Sequence, residues 1–133
     1  MKSLLLVAHG SRRAASNEEV RALARQLRAA QLSFAHVECA FLELAEPSIP
    51  GGLRRAIAAG ADEVVVLPYF LSAGRHVVAD IPAEIDLVRD EYPSVPIRLA
   101  PYLGAAEGIL ALLIAQASQT LHGPSSSTLP ASA

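Results

Sequence analysis

Two histidines carry the chemistry of this chain, and each follows a strongly apolar, strand-like run. His9 stands in Leu5-Leu6-Val7-Ala8-His9-Gly10-Ser11, and His76 closes Pro68-Tyr69-Phe70-Leu71-Ser72-Ala73-Gly74-Arg75-His76. Imidazole is the commonest protein metal ligand and a base poised near neutral pH. Gly10 lets backbone come close to a ligand, and Ser11 offers a hydroxyl or a cap. His76 precedes a helical pattern, and a helix N-terminus favours the neutral imidazole that metal binding requires. The pair points to a small metal-handling enzyme.

Charged residues surround the pair. Glu43, in Phe41-Leu42-Glu43-Leu44-Ala45-Glu46-Pro47, reads equally as a carboxylate at the rim of a crevice and as an exposed charge on the approach to a helix. Asp80 lies four residues after His76, on the same helical face, where it either orients the imidazole or serves as a first-turn acid. Arg12, Arg13 and Arg75 adjoin the histidines, as a grip on an anionic substrate or as solvated loop residues. His36 begins a strand and His122 opens the tail, so neither is expected to take part, and Cys39 reads as a buried, inert thiol. The sequence has no Walker motif, G-x-G-x-x-G, HExxH or cysteine pair, which leaves nucleotide and structural-zinc readings without support.

The elements that must position these residues alternate regularly. Ser3–Ala8, His36–Leu42, Glu63–Leu67 and Val95–Ala100 read as buried strands, short apolar runs bounded by glycine or proline. Between them, Val20, Leu23, Ala24 and Leu27 repeat at helical spacing, with Ser16 or Asn17 as the expected cap and Glu18 and Glu19 in the first turn. A second helix starts around Ser48 and stops at Gly60, a third runs from about Val77 to Glu91, and a fourth covers Ala105–Leu121. Such β-α alternation predicts an α/β fold, a four-stranded parallel sheet in the order 2-1-3-4 with helices on both faces and flavodoxin-type winding. Ligands then bind at the carboxyl ends of strands 1 and 3, where both histidines fall.

The 133 residues fit one ordinary domain, read as 1–122, with the Pro-Ser-rich tail 123–133 expected to be disordered. A hydrophobic fraction of 52% in so small a chain leaves spare apolar surface, which favours a homodimer. The net charge of −2 gives no basis for binding nucleic acid. The single cysteine suits a reducing compartment, and no targeting or membrane-spanning run is read, so the expected location is cytoplasmic.

In combination, Leu6-Val7-Ala8-His9-Gly10-Ser11-Arg12, Ala40-Phe41-Leu42-Glu43 with Pro47-Ser48-Ile49, and Val65 through Val77 continuing to Asp80-Ile81-Pro82 resemble the small, single-domain sirohydrochlorin chelatases, the CbiX/SirB-like group of class II chelatases. The resemblance spans about residues 3–120. It implies insertion of Co²⁺, Ni²⁺ or Fe²⁺, as substrate, into sirohydrochlorin on routes to cobalamin, coenzyme F430 or siroheme, with no nucleotide. By the same resemblance His9 and His76 are the metal pair and Glu43 an acidic catalytic position. Ser11, Arg12, Arg13 and Arg75 are then candidates for binding the substrate, since sirohydrochlorin carries many carboxylates. A chain this short is expected to build its cleft from two copies. Histidine phosphatases also place His-Gly after a first strand, but they need arginine immediately before it, and here that residue is Ala8. A non-catalytic metal or tetrapyrrole carrier of the same fold is the other open alternative.

Overall fold

The computed structural model describes residues 1–31 and 33–122. Four parallel strands, β1 (Lys2–Ala8), β2 (His36–Phe41), β3 (Glu63–Pro68) and β4 (Ile97–Leu99), form one sheet in the order β2-β1-β3-β4, as predicted. β1 is central, and six of its seven residues are buried. That is why Ser3–Ala8 carries no polar alternation: a parallel strand covered on both faces has no solvent side.

Each face has its own core. On one, α2 (Ile49–Ala58) and α3 (Ile81–Glu91) pack Ile49, Leu53, Ile81, Ile85 and Val88 against Leu5, Val7, Val64 and Val66. Ile81, Ile85 and Val88 recur at helical spacing and are fully buried, each contributing about 1.5–3 kcal/mol. On the other, α1 (Ala14–Ala30) sets Val20, Leu23, Ala24 and Leu27 over Leu4, Leu6, Val37, Cys39 and Phe41. Burial also pushes the Cys39 thiol pKa up, in keeping with an inert side chain.

Four local expectations need correction. α1 begins earlier than its cap-like residues suggested: Arg13 is the N-cap, with no side-chain cap bond, and neither Ser16 nor Asn17 caps it. Glu18 and Glu19 therefore fall beyond the first turn. The helix expected over 77–91 is divided into a π-helical turn, His76–Asp80, and α3. Pro82 explains the division, because its ring would collide with the carbonyl four residues back in an α-helix. The wider turn avoids this, and the Ile81 N–H reaches back to the His76 carbonyl.

The last two corrections concern the C-terminal part. β4 is shorter than expected, and a 3₁₀ turn at Leu103–Ala105 precedes α4 (Ile109–His122), which starts later than expected. α4 buries none of its residues. By contrast, α2 starts next to Ser48 as read, and the structure adds that Ser48 caps it, its Oγ accepting from the Gly51 N–H at 3.1 Å. The tail 123–133 lies outside the described residues.

Candidate metal centre

The loops leaving β1 and β2 are joined to each other. Beyond the last ladder pair, Ala8 and Phe41, the Leu42 N–H donates to the Ala8 carbonyl at 3.0 Å and the Glu43 N–H to the His9 carbonyl at 3.1 Å. The backbone of Glu43 thus lies directly on that of Gly10. A Cβ at Gly10 would stand 1.7 Å from the Glu43 carbonyl oxygen, and its φ is +94°, so only glycine fits. Leu44 follows at φ 66°, a left-handed conformation that costs a leucine about 1–2 kcal/mol. The chain then returns, and the Phe41 N–H donates to the Pro47 carbonyl at 2.9 Å. This tight excursion presents Glu43 beside His9, with Oε2 and Nε2 3.3 Å apart.

His76 arrives from β3. The Tyr69 N–H donates to the Val7 carbonyl at 2.7 Å, extending the β1–β3 ladder. The loop that follows is fixed from an unexpected side: the Gly104 N–H bonds the Phe70 carbonyl at 3.0 Å, and a Cβ at Gly104 would come within 1.9 Å of the Leu71 oxygen. His76 then opens the π-helical turn, where its Nδ1 pairs with Asp80 Oδ2 at 2.7 Å. With Nδ1–H donated to the carboxylate, Nε2 is left as the free lone pair.

These placements bring the three predicted residues together. One donor atom from each of His9, Glu43 and His76 falls within 4.8 Å of the others. The two imidazoles meet edge to face, with centroids 4.8 Å apart and an interplanar angle of 81°. Donors on opposite sides of an ion with bonds of about 2.1 Å are separated by at most about 4.2 Å. An ion would draw the set in by roughly 0.6 Å, a small rotation for side chains about half exposed. Imidazole and carboxylate together suit Co²⁺, Ni²⁺, Fe²⁺ or Zn²⁺, and three donors leave coordination positions open.

The arginines stand next to this set in the chain but do not enter it. Arg12, Arg13 and Arg75 are exposed, and their guanidinium groups have no hydrogen-bond partner among the described residues. Ser11 Oγ accepts from the Arg13 N–H at 3.0 Å, closing a local turn. Asn17, which sequence reasoning assigned to a cap, is buried and holds Ser11 by both backbone groups: Oδ1 accepts from its N–H at 2.9 Å, and Nδ2 donates to its carbonyl at 2.8 Å. Gly104 was missed because only the fold brings it against Leu71. Glu84, one turn beyond Asp80, has a buried, unpartnered Oε2. Desolvation, and then the Asp80 charge, push its pKa up. A depression of about 560 Å³ at the outer edge of β2, lined by residues such as Arg21, Cys39 and Arg55, includes neither His9 nor His76, and the three candidate donors sit at the carboxyl end of the sheet instead.

The CbiX family model matches residues 3–120. The sirohydrochlorin cobaltochelatase of Methanocaldococcus jannaschii is 39% identical over 92 residues, 69% of this chain and 64% of that protein. Among solved structures, a cobalamin (vitamin B12) biosynthesis CbiX protein from Marinobacter aquaeolei VT8 superposes with a TM-score of 0.74 at 35% identity, covering 90% of this chain and 95% of that one. The sirohydrochlorin chelatase SirB from Bacillus subtilis subspecies spizizenii, in complex with cobalt, gives a TM-score of 0.78 at 30% identity, covering 90% of this chain and 50% of SirB. The chain spans less than two thirds of the length of the first curated relatives it matches. A match over nearly all the described residues, with the parallel-sheet order the sequence predicted, makes this chain a member of the CbiX family.

Proposed function

We propose that this chain inserts a divalent metal, Co²⁺, Ni²⁺ or Fe²⁺, into sirohydrochlorin or a closely related tetrapyrrole, using one chelatase domain over residues 1–122. The observation that carries the reading is the convergence of His9, Glu43 and His76 within 4.8 Å in a CbiX-family chain. Names of the matching relatives, sirohydrochlorin cobaltochelatase and sirohydrochlorin ferrochelatase, support the substrate class.

Metallation exchanges one hydrated M²⁺ and two pyrrole N–H protons for a metal–tetrapyrrole and two released protons. His9 and His76 hold the ion through imidazole nitrogens, loosely enough for the macrocycle nitrogens to displace its water and then the protein. The Asp80 carboxylate fixes the His76 ring with Nε2 outward. Glu43, hydrogen-bonding distance from His9, accepts a released proton, and His9 takes another as the ion leaves it. Arg12, Arg13 and Arg75 bind peripheral carboxylates of the substrate, with Ser11 fixing the loop that carries the first two.

A second copy of the chain supplies the opposite wall of the cleft, in keeping with an open site and with SirB chains about half covered by this one. The reaction is cytoplasmic in this reading, consistent with a lone, buried thiol. No helix among the described residues is long and apolar enough to cross a membrane. The test mixes protein, sirohydrochlorin and each metal, and follows the macrocycle absorption. Metallation well above the protein-free rate is expected. Tight binding of metal or tetrapyrrole with no rate enhancement would instead make the chain a carrier.

A further inference from the structure

Edge strands carry unpaired backbone, and the two edges of this sheet differ in how they manage it. β4, at one border, is only three residues long, whereas β2, at the other, has six. The chain itself closes the carboxyl end of the β2 edge, where Ser48 forms a parallel bridge with Phe41 and the Phe41 N–H donates outward to the Pro47 carbonyl. The next N–H, of Leu42, turns inward to the Ala8 carbonyl. Backbone groups alternate in this way along a strand, so the N–H and C=O groups of Val37 and Cys39 turn outward with those of Phe41. β2 pairs with β1 alone, and these outward groups have no hydrogen-bond partner among the described residues. Yet Val37 and Cys39 are only 4% and 8% exposed. Backbone groups so enclosed are nearly always paired.

This unpaired run lies in the depression of about 560 Å³ at the outer edge of β2, a volume typical of ligand sites. α1 lines it with Arg21, Ala24 and Arg25, and α2 with Gly52, Arg55 and Ala56. The two walls carry different charge. On the α1 side the strand contributes apolar Val37 and Cys39, and Arg21 and Arg25 share one carboxylate, Glu18, which leaves a positive surplus. On the α2 side Arg55 is offset by Glu38, which points away from the α1 face by strand alternation. The depression also reaches Ser3, which is 3% exposed and whose Oγ has no partner.

We propose that the free edge of β2 docks an extended peptide segment of a partner protein by strand addition, with acidic side chains toward α1 and uncharged polar ones toward α2. The segment pairs with Val37 and Cys39 and continues toward His36 what Pro47 and Ser48 begin at Phe41. A peptide supplies alternating donors and acceptors at the spacing this edge requires, and a compact anion does not. Its side chains alternate between the walls, so every second residue meets the arginines of α1. A second copy of β2 is a poor occupant, because a two-fold pairing centred between Val37 and Cys39 sets Glu38 against Glu38. The docked segment adjoins the loop that carries Glu43: Glu46 and Pro47 line the same depression, and Arg21 donates to the Glu46 carbonyl at 3.1 Å.

The test uses the full chain and capped peptides of about seven residues in which threonine, a good strand former, alternates with glutamate, lysine or alanine. At low salt the glutamate peptide should bind on the order of 10-fold more tightly than the lysine peptide, a gap that narrows as salt is added. In its complex, amide hydrogen exchange at Val37 and Cys39 should slow at least ~10-fold, while the inward-paired Glu38 and Ala40 change little. Arg25→Glu, at a side chain 66% exposed, should keep a native circular dichroism spectrum and remove the preference for glutamate. N-methylation along one edge of the peptide should abolish binding. Failure of every peptide to bind, binding indifferent to charge, or unchanged exchange at Val37 and Cys39 in the complex overturns the proposal. So does binding of the N-methylated peptide, or its parent's displacement by an equal concentration of succinate, which would make the depression a small-anion site. A peptide that dissociates copies of the chain overturns it in favour of a second copy. Metal insertion enters none of these readouts, so the proposed activity stands or falls separately.

Discussion

The Gly10 α-carbon rests on the carbonyl oxygen of Glu43, close enough that a methyl group there would stand 1.7 Å from it. This contact holds the first histidine and the carboxylate in one frame, because the neighbouring His9 carbonyl also accepts from the Glu43 N–H. Gly10→Ala must both abandon a φ of +94° and push the second loop away. We expect at least ~2 kcal/mol of destabilisation in chemical denaturation. A variant as stable as the parent would show that the two loops are not interlocked.

His9→Ala and His76→Ala each remove one of three donors from half-exposed positions. Cobalt affinity, followed by the visible absorption of Co²⁺, should fall at least ~100-fold in each. Thermal stability without metal should be nearly unchanged. Undiminished affinity in either variant removes that histidine from the site.

Asp80→Asn keeps a polar partner near His76 Nδ1 but removes the negative charge that favours an Nδ1–H donor. Co²⁺ affinity is expected to drop about 10-fold, less than for loss of the imidazole itself. A loss as large as that of His76→Ala would indicate that Asp80 binds the metal directly.

Asn17→Ala leaves both the N–H and the carbonyl of Ser11 without their present partners. Such a loss costs about 1–3 kcal/mol, measurable as a shift in denaturation midpoint. Asn17→Asp restores the acceptor but not the donor and should recover only part of the difference. An unaffected midpoint in Asn17→Ala would mean that water replaces the side chain without penalty.

Glu84 gives the fold a pH dependence of known sign. Its folded-state pKa is raised, by burial first and Asp80 second, so the folded chain binds more protons than the unfolded chain just above the ordinary glutamate value of 4.5. This contribution therefore favours folding below that value and is lost as pH rises through the raised pKa. Glu63 acts oppositely: its hydrogen bond with Arg98 lowers its pKa, so its contribution is present above 4.5 and is lost as pH falls. Glu84→Gln should raise Tm at pH 7 by about 2–4 °C and by less at pH 4. An equal gain at both values would assign the effect to packing rather than to charge.

Much of this architecture is legible in the sequence because parallel, doubly covered strands are continuous apolar runs. Leu4–Ala8 and Val64–Leu67 could hardly be anything else, and their order follows from the alternation of elements. His9 and His76 were recognisable by their place just beyond such runs. What escaped has a common cause: residues whose role depends on something distant. Asn17 has the chemistry of a cap, yet its partner is Ser11 on the incoming loop. Gly104 resembles any loop glycine until Leu71 is set against it. Pro82 reads as tolerable near the first turn of one helix over 77–91, and nothing local signals the π-helical turn that accommodates its ring. α4 was legible as a helix, whereas its lack of a buried face within the chain was not.

His9, Glu43 and His76 come from three successive strand-to-loop junctions, so no two of the donors are neighbours in the chain. An unfolded polypeptide offers them only as isolated weak ligands, and the three-donor cluster exists once β1, β2 and β3 have paired in register. Metal concentration should therefore raise the melting temperature in proportion to its logarithm above the dissociation constant. The proposed reaction also requires the empty fold to stand without it, for a protein that hands its ion to another molecule has to survive every turnover with its ligands bare.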